Sequence, residues 1–195
     1  MSNQSNPEFY EYLAKRRSAS VLHEPKPSKN EIEKILAIAG TVPDHGNLRP
    51  YRFVVIEDTS RDKFGDSLVD AADAHRPEPL EDKVKAKIRA KAFAAPMQIL
   101  IIYSPVASEK IHAWEQMAAA SCTGFALVLG ANTLGYGAVW KSFAYDPGPM
   151  LKGLVSLSNE EKILGWVNIG TEKGRDHAPR EALPISDHVQ FLNEK

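Results

Sequence analysis

Two arginines and a serine near the N-terminus have the chemistry of an anion-binding site. Arg16 and Arg17 stand directly ahead of Ser18, at the end of a segment whose pattern predicts a short helix over 8–17. Guanidinium groups bind phosphate oxygens through paired hydrogen bonds, and a neighbouring hydroxyl adds a further donor. Cations at a helix C-terminus also interact favourably with the helix dipole. The local sequence leaves both interpretations open.

A second group of polar residues lies in the loop "PDHGNLRP", ahead of a predicted strand. His45, Asn47 and Arg49 follow one another there between two prolines. Proline and glycine restrict such a loop to an irregular backbone, and polar groups on loops held by a rigid scaffold are commonly functional. Solvated loop side chains have the same composition, so this interpretation also has an alternative.

A third group follows two glycines near the end of another predicted strand. Gly135 and Gly137 precede Trp140, Lys141 and Ser142 in "LGYGAVWKS". Glycine lets a flat ligand approach the backbone closely, which favours a binding site at this strand end. A helix C-cap followed by a core tryptophan would produce the same sequence pattern.

The elements that must hold these residues form an interleaved series of helices and strands, which predicts an α/β or α+β fold. Ser28 and Glu31 form a capping box for a helix that ends at Gly40. The longest helix is predicted over 109–134; because its second half is apolar nearly all round, it should run through the core. Further helical patterns cover 60–75 and 80–95. The predicted strands are 51–58, 96–104, 137–142 and 162–170.

Composition and charge exclude several classes of protein. The 195 residues are expected to form one domain, 1–195, and 24 Lys and Arg against 25 Asp and Glu leave a net charge of −1. Such balance argues against a nucleic-acid partner and against polybasic membrane binding. No histidine has a partner at metal-ligand spacing, and no leader or membrane span is expected, which predicts a cytoplasmic protein without a metal. The single Cys122 is expected to be a small packing residue.

Four segments follow one another in a specific order. R-R-S comes at the end of the first helix, and P-D-H-x-x-x-x-P-[WY]-R-F comes ahead of a strand. A helix rich in small residues leads into "GAVWKS", and "ILGWVNIGT" comes near the end. From about residue 9 to residue 184 the chain resembles the nitroreductase family of FMN-dependent oxidoreductases, in its short single-domain bacterial branch.

The resemblance implies an α+β fold with a mixed, mainly antiparallel sheet packed with helices around a long central helix. It also implies a homodimer with two FMN sites at the subunit interface, each built from both chains. Arg16, Arg17 and Ser18 match the family's phosphate and ribityl contacts, and His45 and Arg49 match the loop lent to the partner's flavin. The other matching residues are Trp140, Lys141, Ser142 and Arg180.

The implied activity is hydride transfer from NAD(P)H to FMN, followed by electron transfer to a nitroaromatic, a quinone or a related acceptor in a ping-pong sequence. The flavin carries the hard chemistry, so no side chain is named as a catalyst. Arg49 stands where a glutamine is common in the wider family, and we expect its cation near the flavin N1 edge to raise the reduction potential. One alternative is a flavoenzyme of the same fold that acts by dehalogenation or flavin breakdown, with 62–92 as a candidate lid. The other is a flavin-free binding protein.

Overall fold

The computed structural model describes residues 5–74, 76–174, 178, 181 and 183–192. The chain divides into two compact units, one formed by Met1–Arg17 with Gly174–Lys195 and the other by Ser18–Lys173. The prediction of one domain over 1–195 stays a prediction, and each unit is described by itself.

The described part of the first unit contains two helices. Helix α1 spans Pro7–Lys15, and its first turn is capped by Asn6, whose Oδ1 accepts a hydrogen bond from the N–H of Phe9 at 3.1 Å. Helix α7 is a single turn, Ile185–His188. The sequence predicts α1 over 8–17, but the helix ends earlier because the backbone of Arg16 turns to an extended conformation with ψ 129°.

Four strands of the second unit form one sheet. They are β1 (Tyr51–Glu57), β2 (Met97–Tyr103), β3 (Gly137–Lys141) and β4 (Lys162–Gly170), in the spatial order β1-β2-β4-β3. All three pairings are antiparallel. The predicted mainly antiparallel character of the sheet is therefore confirmed. These four strands contain no parallel pair, which a mixed sheet would have. Every residue of β2 is buried, as its continuous apolar run predicts for a strand covered on both faces.

The long central helix is confirmed as α5, Ala113–Thr133. It packs with helix α2, Lys29–Ala39, against one face of the sheet. Helix α2 begins at Ser28, and its predicted capping box with Glu31 is present. The alternating side chains of β2 and β4 that point to this face complete the core, which contains Ile35, Ile99, Leu127, Val167 and Ile169.

Helix α5 also presents an uncovered apolar stripe. Trp114 is 69% exposed and Phe125 is 49% exposed, and Ala118 and Cys122 lie between them at helical spacing. Contrary to the expectation, Cys122 is exposed on the single chain and does not pack in its core, because a helix that is apolar all round does not reveal which side the sheet covers. Within the part of the chain that the structure describes, no helix is long and apolar enough to span a bilayer.

The opposite face of the sheet is covered by α3 (Ser60–Asp73), α4 (Asp82–Arg89) and α6 (Pro149–Val155). Phe64 and Leu68 of α3 are fully buried, so this part of the candidate lid 62–92 is a core element. The short helix α6 is missed by the sequence patterns.

One charged cluster joins β1 to the segment ahead of β4. The guanidinium of Arg52 binds Glu161 through two hydrogen bonds, Nε to Oε1 at 2.6 Å and Nη2 to Oε2 at 2.8 Å. Glu161 is only 9% exposed, and it also accepts hydrogen bonds from the Ser104 hydroxyl and the Ser158 N–H. The Arg52 hydrogen bond, with those from Ser158 and Ser104, lowers the pKa of Glu161 to about 2. This cluster holds the strand edge beside the C-terminus of α6.

Candidate active site

The end of β3 presents the predicted residues Trp140, Lys141 and Ser142 together. All three side chains are exposed, although the strand ahead of them is buried. The segment that begins with Ser18 runs beside the same strand, where the N–H of Ala19 donates to the carbonyl of Ala138 at 3.0 Å. The structure therefore brings Ser18 alongside the strand that carries the other three residues.

Gly165 permits the strand end to take this position. A Cβ atom there would lie 2.1 Å from the backbone oxygen of Lys141 and 3.0 Å from Trp140 Nε1, and the glycine has φ +127°. The pairing of β2 with β4 shifts register at this point, between Ile101 and Ile102. The irregularity in β4 thus makes room for the backbone of β3, and it accounts for a glycine inside an otherwise apolar strand.

The ring of Trp140 lies against α5 at Gly124. A Cβ atom at this glycine would be 2.8 Å from three ring atoms, Cδ2, Cε3 and Cζ3. Real Cβ contacts of that length essentially do not occur, so the absence of a side chain at this position is what seats the ring. Gly124 therefore sets the orientation of a predicted site residue.

Gly124→Ala is expected to displace the Trp140 ring at a modest cost in stability. Alanine favours a helix over glycine by about 0.5–1 kcal/mol, which offsets part of the steric cost. Tryptophan fluorescence and the chemical shift of the Trp140 indole N–H measure the displacement. Gly153→Ala in α6 is the matched control, because its new Cβ meets no atom within 4 Å. An unchanged Trp140 fluorescence and indole chemical shift in Gly124→Ala would show that Gly124 does not determine the position of the ring.

A pocket of about 320 Å³ opens beside this strand end, and its wall combines cations with buried polar groups. Asn168 is 2% exposed and its Oδ1 has no hydrogen-bond partner; Trp166 is 5% exposed and its Nε1 is likewise unpaired. An unpaired polar group inside a protein costs about 1–3 kcal/mol, so these two buried atoms are an uncompensated feature of residues that line the pocket. The pocket is lined by Lys91, Ala94, Lys141, Ser142, Trp166 and Asn168.

Three pocket residues are missed by the sequence patterns. Lys91 falls in the helical pattern predicted over 80–95, but it lies in the 3-10 turn Ala90–Phe93 and lines the pocket. Trp166 and Asn168 belong to β4, whose pattern predicts only a buried strand. A single asparagine inside the apolar run "GWVNIG" is the one signal that could have marked this strand as more than core.

The second predicted cluster, His45 and Arg49, lies at the N-terminus of α5. Oδ2 of Asp44 accepts a hydrogen bond from the N–H of Arg49 at 2.6 Å, which closes the loop on itself. Gly46 has φ +71°, and a Cβ there would lie 2.5 Å from Cδ1 of Ile111. The loop is therefore held against the turn that leads into α5.

The imidazole of His45 extends from this loop towards α5 and remains 64% exposed. Its Nδ1 lies 2.9 Å from Oε2 of Glu115. Glu115 and Gly124, which seats Trp140, are nine residues apart on α5, about 13 Å along the helix axis. Within one chain the His45 loop and the Trp140 strand end are therefore separate clusters.

Arg16 and Arg17 belong to the first unit, at the C-terminus of α1. The guanidinium of Arg17 donates to the carbonyls of Ala14 at 3.4 Å and Arg16 at 3.0 Å, and also to the carbonyl of Ala178. These contacts match the structural interpretation of a cation at a helix end. The phosphate role of Arg16, Arg17 and Ser18 stays a prediction. Arg180 lies outside the described residues.

Comparison with known proteins agrees with the resemblance. Residues 13–171 match the model of the Nitroreductase family. YdjA of Escherichia coli (strain K12), whose name proposes an NAD(P)H nitroreductase, is 33% identical over 161 residues, which are 83% of this chain and 86% of YdjA.

Solved structures share the fold. A nitroreductase-like family protein from Bacillus cereus superimposes with a TM-score of 0.77 at 22% identity, with all of both chains covered. The FMN-dependent nitroreductase NfnB from Mycobacterium smegmatis, solved in complex with NADPH, has a TM-score of 0.71 at 14% identity over 95% of this chain and 98% of NfnB. The predicted nitroreductase-like α+β fold and the predicted oxidoreductase enzyme are confirmed. By the family match and by its relatives, this chain is a member of the nitroreductase family.

Proposed function

We propose that the chain is an FMN-dependent oxidoreductase that takes hydride from NAD(P)H and passes electrons to a nitroaromatic, a quinone or a related small acceptor, in the cytoplasm. The observation that carries this proposal is the pocket at the end of β3, where predicted flavin contacts meet two unpaired buried polar groups. The name of YdjA and the FMN and NADPH of NfnB support the same chemistry.

The pocket residues fit a flavin. The pyrimidine edge of the isoalloxazine alternates carbonyl oxygens with one N–H, and its rings are flat and apolar. Lys91 and Lys141 supply cationic donors, and the Ser142 hydroxyl supplies a neutral one. Oδ1 of Asn168 would accept from an N–H group of the ligand if binding opened the pocket wall around it.

FMN, when bound, supplies hydride acceptance from NAD(P)H and electron donation to a second substrate. The chain itself would orient the two substrates and tune the reduction potential of the flavin. Lys91 and Lys141 place positive charge beside the ligand's polar edge. As the family resemblance implies, Arg16, Arg17 and Ser18 would hold the phosphate. Since one open pocket would serve both substrates, donor and acceptor would bind in turn, in a ping-pong sequence.

We propose further that each flavin site needs two chains. His45 and Arg49 lie about 13 Å along α5 from the Trp140 seat, so a single chain holds them apart from the pocket. The exposed apolar stripe on α5 that includes Trp114 and Phe125 is a surface that a second copy of this chain would cover. A homodimer would then place the His45 loop of one subunit beside the pocket of the other, with Arg49 near the flavin.

Subunit complementation tests this arrangement. One chain carries Trp140→Ala and Lys141→Ala, the other carries His45→Ala and Arg49→Ala, and heterodimers are isolated through two different tags. Each homodimer loses both sites, but a heterodimer keeps one intact site of two, so it should regain FMN and NAD(P)H-dependent reduction of a quinone. Size-exclusion chromatography and thermal unfolding control for assembly. Heterodimers no better than either parent homodimer would contradict a shared site.

A further inference from the structure

Glu115 makes more contacts than its place in the helix requires. As the third residue of α5 it accepts a hydrogen bond from the backbone N–H of His112, with 3.1 Å between His112 N and Oε1. This is the ordinary role of a glutamate in a capping box. Its other oxygen, Oε2, lies 2.9 Å from Nδ1 of His45, a residue 70 positions earlier in the chain. One carboxylate therefore joins the start of α5 to the His45 loop.

The protonation of this pair follows from its partners. The hydrogen bond from His45, and then that from the backbone N–H of His112, lower the pKa of Glu115, so the side chain is a carboxylate at neutral pH. A carboxylate only accepts hydrogen bonds. The hydrogen atom between the two groups must therefore be on Nδ1 of His45, and Nε2 is the nitrogen left for a ligand.

The loop backbone restrains the imidazole from the other side. Gly46 is pressed against Ile111, and Asp44 binds the backbone N–H of Arg49, so the position of His45 is defined at its Cα as well as at its ring. The side chain is nonetheless 64% exposed. Glu115 holds Nδ1 of this exposed imidazole, so Nε2 is available to contact a ligand from a fixed direction.

We propose that Glu115 is a positioning residue, which fixes the tautomer and orientation of His45 so that Nε2 faces the flavin of the partner subunit. This inference rests on the proposed function, since it takes the flavin as the ligand of His45. Carboxylates that orient histidines in this way behind metal sites typically change affinity by about 10–100-fold when they are removed. A contact to a flavin edge is weaker than a metal bond, so about a tenfold change is expected here.

The tautomer is measured first, by nitrogen NMR of histidine-labelled protein without flavin. His45→Ala assigns the signals. Wild-type protein should show hydrogen on Nδ1 of His45, whereas Glu115→Gln should shift the population towards hydrogen on Nε2. Glutamine has one acceptor oxygen, so it cannot serve both His112 and His45. Glu115→Asp is the second variant: it keeps the charge and the helix start but shortens the reach to the ring. An unchanged tautomer in both variants overturns the proposal.

The matched control for helix capping is Glu31→Gln, which alters the capping box of α2. Both Gln variants should lose similar stability, but only Glu115→Gln should weaken FMN, by about tenfold. In a His45→Ala background, Glu115→Gln should have no further effect on the FMN dissociation constant. If Glu115→Gln weakens FMN binding as much in the His45→Ala background as in wild type, Glu115 does not act through His45, and the proposal is overturned.

Failure of the proposed function and failure of the inference about Glu115 give different results. If wild-type protein binds no FMN, the proposed function fails, and the tautomer measurement still decides the role of Glu115. If His45→Ala weakens FMN but Glu115→Gln does not, the inference about Glu115 fails alone.

Discussion

Gly165→Ala should destabilise the protein by about 3 kcal/mol or more and abolish FMN binding. The substitution combines two costs: a positive φ disfavours alanine by about 1–2 kcal/mol, and overpacking adds about 1–3 kcal/mol. The second cost is severe because the new Cβ would lie 2.1 Å from the backbone oxygen of Lys141, which cannot rotate away as a side chain can. The end of β3 must then move, and Trp140, Lys141 and Ser142 move with it.

Gly135→Ala separates these two costs. Gly135 also has a positive φ, +90°, but a Cβ there meets nothing within 4 Å. It should lose only the conformational cost, about 1–2 kcal/mol, and keep FMN. Urea unfolding and FMN titration of the two variants supply the comparison. Equal stability losses, or a Gly165→Ala protein that binds FMN normally, would show that the strand end does not depend on this glycine.

Glu161→Gln is expected to lower the free energy of unfolding by about 2–3 kcal/mol near neutral pH. Removing one partner of a buried ion pair costs about 3–5 kcal/mol, and the effect is smaller here because the Arg52 side chain is 33% exposed. The neutral amide also cannot accept the full set of hydrogen bonds that Arg52, Ser104 and Ser158 donate. Chemical denaturation at constant pH measures the loss.

The stability difference between wild type and Glu161→Gln should depend on pH. The folded-state pKa of Glu161 is lowered from 4.5 to about 2. Its contribution, about 3 kcal/mol from that shift, is fully present above pH 4.5 and disappears as the pH falls towards 2. Wild type and Glu161→Gln should therefore converge in acid. Glu160→Gln removes an exposed charge next to it and should change stability by less than about 0.5 kcal/mol. A constant difference between wild type and Glu161→Gln down to pH 2 would refute the account.

The elements with strong periodicity are the ones that the sequence predicts well. The capping box of Ser28 and Glu31, the apolar run of β2 and the long α5 all depend on local patterns, and all are present. Helix α6 is missed because its seven residues are too short to show a period; its start depends on Asp70 of α3, whose Oδ2 accepts a hydrogen bond from the N–H of Met150.

The site is predicted only where a motif is continuous along the chain. Trp140, Lys141 and Ser142 are consecutive, and His45 and Arg49 share one loop. Glu115 is missed because its link to His45 spans 70 residues. The pocket residues Lys91 and Asn168 are missed for the same reason: they come from a 3-10 turn and a distant strand that meet only in the folded sheet.

Anaerobic titration of the freshly purified protein with NADH and NADPH, followed by absorption, shows whether the chain is an FMN-dependent reductase. We expect a yellow protein whose flavin bands bleach on addition of at least one donor and return when a quinone or nitroaromatic is added. The donor that bleaches at lower concentration is the preferred one, and a panel of acceptors then distinguishes nitro reduction from dehalogenation. Protein that remains without flavin after incubation with FMN, or flavin that neither donor bleaches, would contradict the proposed oxidoreductase function.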